Sequence, residues 1–323
     1  MESKRRAVID VGTNSVKLLV ADVAGRDVRP VWEGSRQTRL GGGFYETRRL
    51  QPEAVARTAE AVMAFAGTAR EWKAESIRVI ATSAARDAVN PGDLVSAIEQ
   101  SCGLRVEIIS GDQEAQWVFQ GVATDRELSG QPLLILDVGG GSTEFILGQG
   151  EHKHFQASFP LGTVRLMEKI PHSDPPEPGE LARCRGWLAE FLSVEVRPKL
   201  EPAMQREATL GPRRGSLQLV GTGGTTSILA RMEANLEDFD REKLEGTRLS
   251  RERVRWQLDR LWALPLAERR QIAGLPKNRA DVILTGVAIY EAVMEQFGFS
   301  ELRVSTRGLR FAAVMEADPA ERA

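Results

Sequence analysis

The chain has 323 residues, 43 basic against 45 acidic side chains, a formal net charge of −2 and 42% hydrophobic residues. That length allows two domains with full cores, and the even charge balance excludes a general attraction for nucleic acid, so a polyanion would need a locally basic groove. Two cysteines without paired spacing exclude a disulfide framework, and no stretch approaches the ~20 apolar residues of a membrane span.

Taken in chain order, MESKRRAVIDVG enters a short strand directly, with no leader pattern, and the expected location is the cytoplasm. Residues 7–23, AVIDVGTNSVKLLVADV, read as strand, Gly-Thr-Asn-Ser turn and strand, a β-hairpin. A helix is predicted from Pro52 to about Lys73, then a strand at Ile77–Ala81, a helix near Asp93–Gln100 and a strand at Arg105–Ile109. A helix opens at Ser110-Gly-Asp-Gln-Glu. The polar stretch 125–131, DRELSGQ, suits a domain boundary. Beyond it, residues 133–147 repeat strand, glycine turn and strand. A helix over about Gly179–Leu200 and a basic loop at Gly211–Gly215 come next. Strand Leu217–Val220 runs through GTGGTTS into a helix, followed by helices near 250–264 and 280–297, strand Glu301–Ser305 and a final helix from about Leu309.

AVIDVGTNS and LILDVGGGS align strand to strand and aspartate to aspartate, 127 positions apart from Asp10 to Asp137. A duplicated α/β domain explains the restart. Neither turn fits a Rossmann or P-loop motif, because each joins two strands rather than a strand and a helix. A plain hairpin needs one Gly and one Asn. Three successive glycines, Gly139–Gly141, exceed that need and leave backbone N–H groups uncovered, a surface suited to phosphate oxygens. Both turns therefore read as phosphate cradles: Gly12, Thr13, Asn14 and Ser15 in one, Gly139, Gly140, Gly141, Ser142 and Thr143 in the other. Gly221 and Gly223 of GTGGTT open a helix whose N-terminus suits a further anion. Asp137 and Glu144 flank the second turn and would repel an anion unless a cation lay between them. Magnesium, or another divalent cation, resolves the conflict, with Asp10 as a third oxygen donor. Ser110 and Gln113 fit a helix capping box, and Glu114 fits a first-turn glutamate favoured by the helix dipole. The three histidines sit in polar stretches expected to be solvated, and Trp187 and Trp256 fit packing positions on helices.

With DVGTNS at 10–15, RLGGGF at 39–44, ATSAARDAVN at 81–90, SGDQEA at 110–115, DVGGGSTEF at 137–145, SFPLGTVRL at 158–166, GTGGTTS at 221–227 and RADVILTG at 279–286, the chain resembles the exopolyphosphatase and guanosine pentaphosphate phosphohydrolase family of the actin, sugar-kinase and Hsp70 superfamily. The resemblance implies an α/β protein of two ribonuclease-H-like (actin-like ATPase) domains with an interdomain cleft. The expected domains are 1–127, to which the C-terminal helix 309–323 could be added, and 128–308. It implies Glu114 as general base on the attacking water, Glu144 as the group that positions water or metal, and Asp137 as a metal ligand. Arg86 would stabilise the transferred phosphoryl group, and Lys17, Arg39 and Arg165 would steer a polyanion. Position 17 is lysine where relatives usually carry arginine, Gln113 replaces a common glutamate, and the Glu-Gly usual after Gly-Leu-Arg is missing. The implied substrate is inorganic polyphosphate. Guanosine pentaphosphate is the enzymatic alternative, and a sensor that binds guanosine tetra- or pentaphosphate without turnover is the non-enzymatic one. A homodimer is compatible with the reading.

Overall fold

The computed structural model describes residues 3–209 and 216–316. The expected basic loop, with Arg213 and Arg214, and the expected run of the final helix beyond 316 lie outside the described residues. The chain divides into two compact units, Met1–Thr124 with Arg307–Ala323, and Asp125–Thr306.

In the first unit, β1 (Lys4–Val11), β2 (Ser15–Ala24) and β3 (Asp27–Gln37) form an antiparallel meander, and β4 (Ser76–Ala81) and β5 (Val106–Ile108) extend it in parallel with β1. The order is β3-β2-β1-β4-β5. Strand alternation sends Ala7, Ile9 and Val11 into a core with helices Pro52–Glu71 and Pro91–Cys102. Asp10 lies on the other face, with Arg6, whose guanidinium donates to the Met315 carbonyl at 3.0 Å. The helix Leu309–Met315 therefore packs on that face, although it follows the whole second unit in sequence. Its entry is tight: a Cβ on Gly121 would come within 2.2 Å of the Gly308 carbonyl oxygen.

The second unit repeats the plan. β6 (Pro132–Val138), β7 (Thr143–Gln149) and β8 (His152–Phe159) form the meander, and β9 (Gln218–Thr222) and β11 (Glu301–Val304) continue it in parallel. β10 (Arg248–Ser250) closes the far edge antiparallel to β11, giving β10-β11-β9-β6-β7-β8. This is the expected α/β, ribonuclease-H-like topology in both units.

Each unit has a third strand that the alternation of residues did not signal. β3 and β8 are edge strands, and each register shifts once, between Val20 and Ala21 and between Leu147 and Gly148. Pro30 in β3 is tolerated because an edge strand can forgo a ladder donor, and the polar HKHFQASF of β8 suits a strand with one open side. The helix expected over about 179–200 is Pro178–Phe191, a π-helical turn Leu192–Val196 and Arg197–Thr209. Trp256 is not a packing residue. It is 46% exposed, with the Arg253 and Arg260 guanidinium carbons 4.0 and 5.4 Å from its ring centroid. His172 is half-buried against Trp262, their ring centroids 5.3 Å apart.

Candidate active site

The two hairpin turns are built alike. The Gly12 N–H donates to the Ser15 carbonyl at 3.1 Å and the Gly139 N–H to the Ser142 carbonyl at 2.9 Å. In each unit the segment after the third strand folds back to tie down the turn's carbonyls. The N–H groups of Thr38 and Arg39 donate to Asn14 O and that of Gly41 to Thr13 O. In the second unit, those of Thr163, Val164 and Arg165 donate to Gly139 O and Gly140 O. The approach is close enough that a Cβ on Gly162 would stand 2.5 Å from the Gly140 backbone. Arg39, at φ 51, is an exposed non-glycine residue in the left-handed region at this return. The Arg165 Nε donates to Gly141 O at 2.7 Å, so this cation braces the second turn.

In the first unit the parallel strands β1, β4 and β5 deliver their carboxyl ends to one sheet edge, where open α/β sheets bind ligands. The Gly12–Ser15 turn leaves β1. The short helix Ser83–Asp87 leaves β4 with Arg86, and Gly111–Val122 follows β5 with Glu114. The Ser110 hydroxyl accepts from the Gln113 N–H at 3.1 Å, which sets the start of that helix. Arg86 Nη1 donates to Glu114 Oε2 at 2.8 Å and to the Ile109 carbonyl at 3.2 Å, and Glu114 is only 9% exposed. Two residues singled out for catalysis thus form one ion pair. Asn14, Thr13 and Ser15 are buried. Gln37 donates to Asn14 Oδ1 at 3.1 Å, which fixes the amide, yet Asn14 Nδ2 is buried without a partner among the described residues. A buried donor left over is costly unless a ligand completes it. The buried hydroxyls of Thr38 and Ser83 share this property.

Asp10 stands opposite Lys17 in the β1–β2 register. Burial pushes its carboxyl above the usual range, against the opposing pull of Lys17 and Arg310. Arg310 comes from the final helix and donates to the Leu18 carbonyl at 3.0 Å.

In the second unit, Thr222, Asp137, Glu144 and Ser158 are register partners across β9, β6, β7 and β8, one polar row on one level of the sheet. Glu144 is buried and its Oε1 accepts from the Ser158 hydroxyl at 2.8 Å. The Thr143 hydroxyl donates to the Leu161 carbonyl and so serves the fold of the turn. Gly221 and Gly223 both have steric reasons. A Cβ on Gly221 would meet Thr226, Leu302 and Tyr290, and one on Gly223, at φ 91, would come within 2.3 Å of Asp137 Oδ1. Thr285 of RADVILTG donates to the Thr163 carbonyl at 2.8 Å, tying that helix to the return segment.

The model of the Ppx/GppA phosphatase family matches residues 19–318. The chain belongs to that family. Among curated Ppx/GppA relatives, a Mycobacterium tuberculosis protein named exopolyphosphatase 2 is 34% identical, covering 94% of this chain and 96% of its own. A guanosine-5'-triphosphate,3'-diphosphate pyrophosphatase of Photobacterium profundum is 30% identical over 96% of this chain, which spans 58% of that protein. The crystal structure of the Aquifex aeolicus member of the Ppx/GppA family aligns with a TM-score of 0.76 at 30% identity, covering 97% of both chains. As a Ppx/GppA protein the chain has the actin-like fold and is a phosphoanhydride hydrolase.

Sequence reasoning did not single out Ser158, Tyr290 or Arg310. The first and last lie in quoted stretches, SFPLG and the Gly-Leu-Arg near the C-terminus, so their signal was present. Tyr290 carried none, since it stands in an apolar helix. No helix among the described residues is long and apolar enough to cross a membrane.

Proposed function

We propose that the chain is an exopolyphosphatase that releases the terminal phosphate of inorganic polyphosphate to water, with the help of a divalent cation. The observation that carries this reading is the Arg86–Glu114 pair, which holds a nearly buried carboxylate at the sheet edge that also carries the Gly12–Ser15 turn. Phosphoryl transfer asks a protein mainly for a placed nucleophile and matching charge. Glu114 accepts a proton from water, the water oxygen bonds to the terminal phosphorus, and the bridging P–O bond breaks with its electron pair on the departing chain. Arg86 orients Glu114 and lends positive charge to the phosphoryl oxygens. The Asn14 amide and the Gly12–Ser15 turn take phosphate oxygens, while Lys17 and Arg39 supply basic charge.

The cation fits Asp137 and Glu144. Like charges directly opposite on a sheet are destabilising, and a cation relieves them. Magnesium binds through one or two carboxylates, completing its shell with water and substrate phosphate. It is therefore compatible with the finding that no group of three or more His, Cys, Asp or Glu side chains among the described residues could hold a metal ion. Once bound, the cation supplies charge neutralisation to the phosphate oxygens. Asp10 has Lys17 and Arg310 as its counter-charges and does not require it.

A second reading, hydrolysis of the 5′-terminal phosphate of guanosine pentaphosphate, is supported by the Photobacterium relative's name. The M. tuberculosis relative, matched nearly end to end, supports polyphosphate. Phosphate release from both substrates by the wild type and by Glu114→Gln tests the reading. Turnover of polyphosphate that the substitution leaves unchanged sinks the mechanism. No turnover of either substrate favours the sensor.

A further inference from the structure

The helix Ile283–Phe297 is buried at every position from Ile283 to Met294, among Leu, Val, Ala, Ile and Met. Thr285, Tyr290 and Glu291 are the polar side chains in that run, and at Tyr290 a phenylalanine would fill the same volume. A buried tyrosine hydroxyl needs partners. The Tyr290 hydroxyl donates to the Leu136 carbonyl at 3.0 Å and is 3.2 Å from the Thr222 carbonyl. Burial pushes the phenol well above its usual range, and the charge of Asp137 adds to this. The Thr226 hydroxyl and the Val138 N–H, hydrogen-bonded to Tyr290, pull the other way.

These partners are not a random set. The parallel β6–β9 ladder stops at the pair Asp137–Thr222, beyond which the strands leave for separate turns. One phenolic oxygen therefore collects the end of β6, the end of β9 and the first turn of the helix Gly224–Ala234. Room for the ring comes from Gly221, where a Cβ would press to 3.0 Å on Tyr290 Cε1. Directly above, Asp137 Oδ1 and Gly223 are so close that only a glycine fits.

We infer that Tyr290 is a positioning residue: its hydroxyl fixes the junction of β6 and β9 and so sets both the carboxylate Asp137 and the glycine turn 221–224. The inference rests on the reading above that Asp137 holds the divalent cation. Tyr290 touches no substrate. It acts through the backbone at Leu136 and Thr222.

The test uses the full chain and manganese as probe, with Tyr290→Phe, Thr226→Val and Asp137→Asn. Thr226→Val is isosteric and removes a second hydroxyl from the same junction. Manganese binding is measured by titration calorimetry, beside phosphate release from polyphosphate and the thermal midpoint. Support for the outer shell of a metal ligand is expected to be worth about tenfold in affinity. Tyr290→Phe should therefore raise the manganese Kd by about that factor, with a smaller loss of kcat at saturating metal. Thr226→Val should move it in the same direction, and Asp137→Asn should abolish binding. If Asp137→Asn abolishes binding while Tyr290→Phe and Thr226→Val bind manganese as the wild type does, Tyr290 is a packing residue and the inference fails. If Asp137→Asn also binds as the wild type, the cation reading itself has failed, and this inference with it. Should Tyr290→Phe not fold, Thr226→Val decides alone.

Discussion

Lys17 and Glu144 occupy equivalent positions of the two duplicated hairpins. Lys17 stands opposite Asp10 across β1 and β2 as Glu144 stands opposite Asp137 across β6 and β7. One copy of the duplicated turn thus carries its own counter-ion, and the other carries a second negative charge. On the proposed reading the copies do different work: a fixed positive charge in the first unit, a divalent cation in the second.

The two positions should separate in kinetics. Glu144→Gln is expected to raise the magnesium concentration for half-maximal activity by at least about tenfold, and Ser158→Ala, which removes the hydroxyl bonded to Glu144, by a comparable factor. Lys17→Met should raise KM for polyphosphate and leave the magnesium requirement in place. Magnesium titrations at several polyphosphate concentrations measure both, and a changed magnesium requirement in Lys17→Met would contradict the assignment.

Glu114 and Arg86 should behave as one unit. Loss of a general base costs ~10²–10⁴ in rate, and loss of a charge-stabilising donor ~10²–10³. Glu114→Gln and Arg86→Met should each fall in these ranges, and the double variant should be little worse than the poorer single one. Steady-state kinetics of the four proteins, with circular dichroism to show retained fold, make the comparison. Full additivity would mean the 2.8 Å pair has no joint role.

Asp10 predicts a stability effect with a definite sign. Its carboxyl is raised in the folded state, chiefly by burial. Folding therefore takes up a proton between the ordinary carboxylate range and the raised value, and stability falls as pH rises through that window. Above it the cost of the buried charge stays. Asp10→Asn should melt higher than the wild type at neutral pH, with the difference vanishing once the pH drops below the ordinary carboxylate range. Melting curves across pH test this; an Asn variant that melts lower at pH 7 would reverse the sign.

The cysteines give a plain check on burial. The Cys184 thiol is pushed up to about 12, mainly by burial, and is closed to solvent. Cys102 is half-exposed at the end of its helix. Iodoacetamide at pH 8 should label Cys102 in the native protein and both cysteines after denaturation, which intact-mass measurement reads directly. Labelling of Cys184 in the native protein would contradict the packing around it.

Gly162 offers a test of the second cradle. A methyl group there would meet the Gly140 backbone at 2.5 Å, where neither side has a flexible side chain to yield. Gly162→Ala should lower activity by at least about tenfold, as a misplacement of order 1 Å can cost more than that. The analogous change at Gly179, where a Cβ meets nothing within 4 Å, should be close to silent.

How much of this was readable beforehand follows the range of the interactions. The hairpin turns, their duplication and the Ser110 cap are local, and a few adjacent residues specify each. The third strands were not legible because edge strands carry neither strict alternation nor an apolar run. The Arg86–Glu114 bond joins residues 28 apart and exists because β4 and β5 are neighbours, which the residues do not announce. Tyr290 and Leu136 are 154 positions apart, farther than any pattern of spacing reaches. Trp256 misled for another reason. Helical periodicity places it on a face but does not tell whether that face meets protein or two arginine side chains.

The helix Leu309–Met315 has a bearing on how the molecule is made. It finishes the sheet face begun by β1, and Glu316 beyond it accepts a hydrogen bond from Trp117 at 2.8 Å. During synthesis the ribosome must therefore emit Asp125–Thr306 before the N-terminal unit can acquire its last piece, so the earlier half waits, unfinished, on the later one. Nascent-chain proteolysis should find the amino-terminal half cleavable until that closing segment emerges, a reversal of the usual order in which domains mature as they appear.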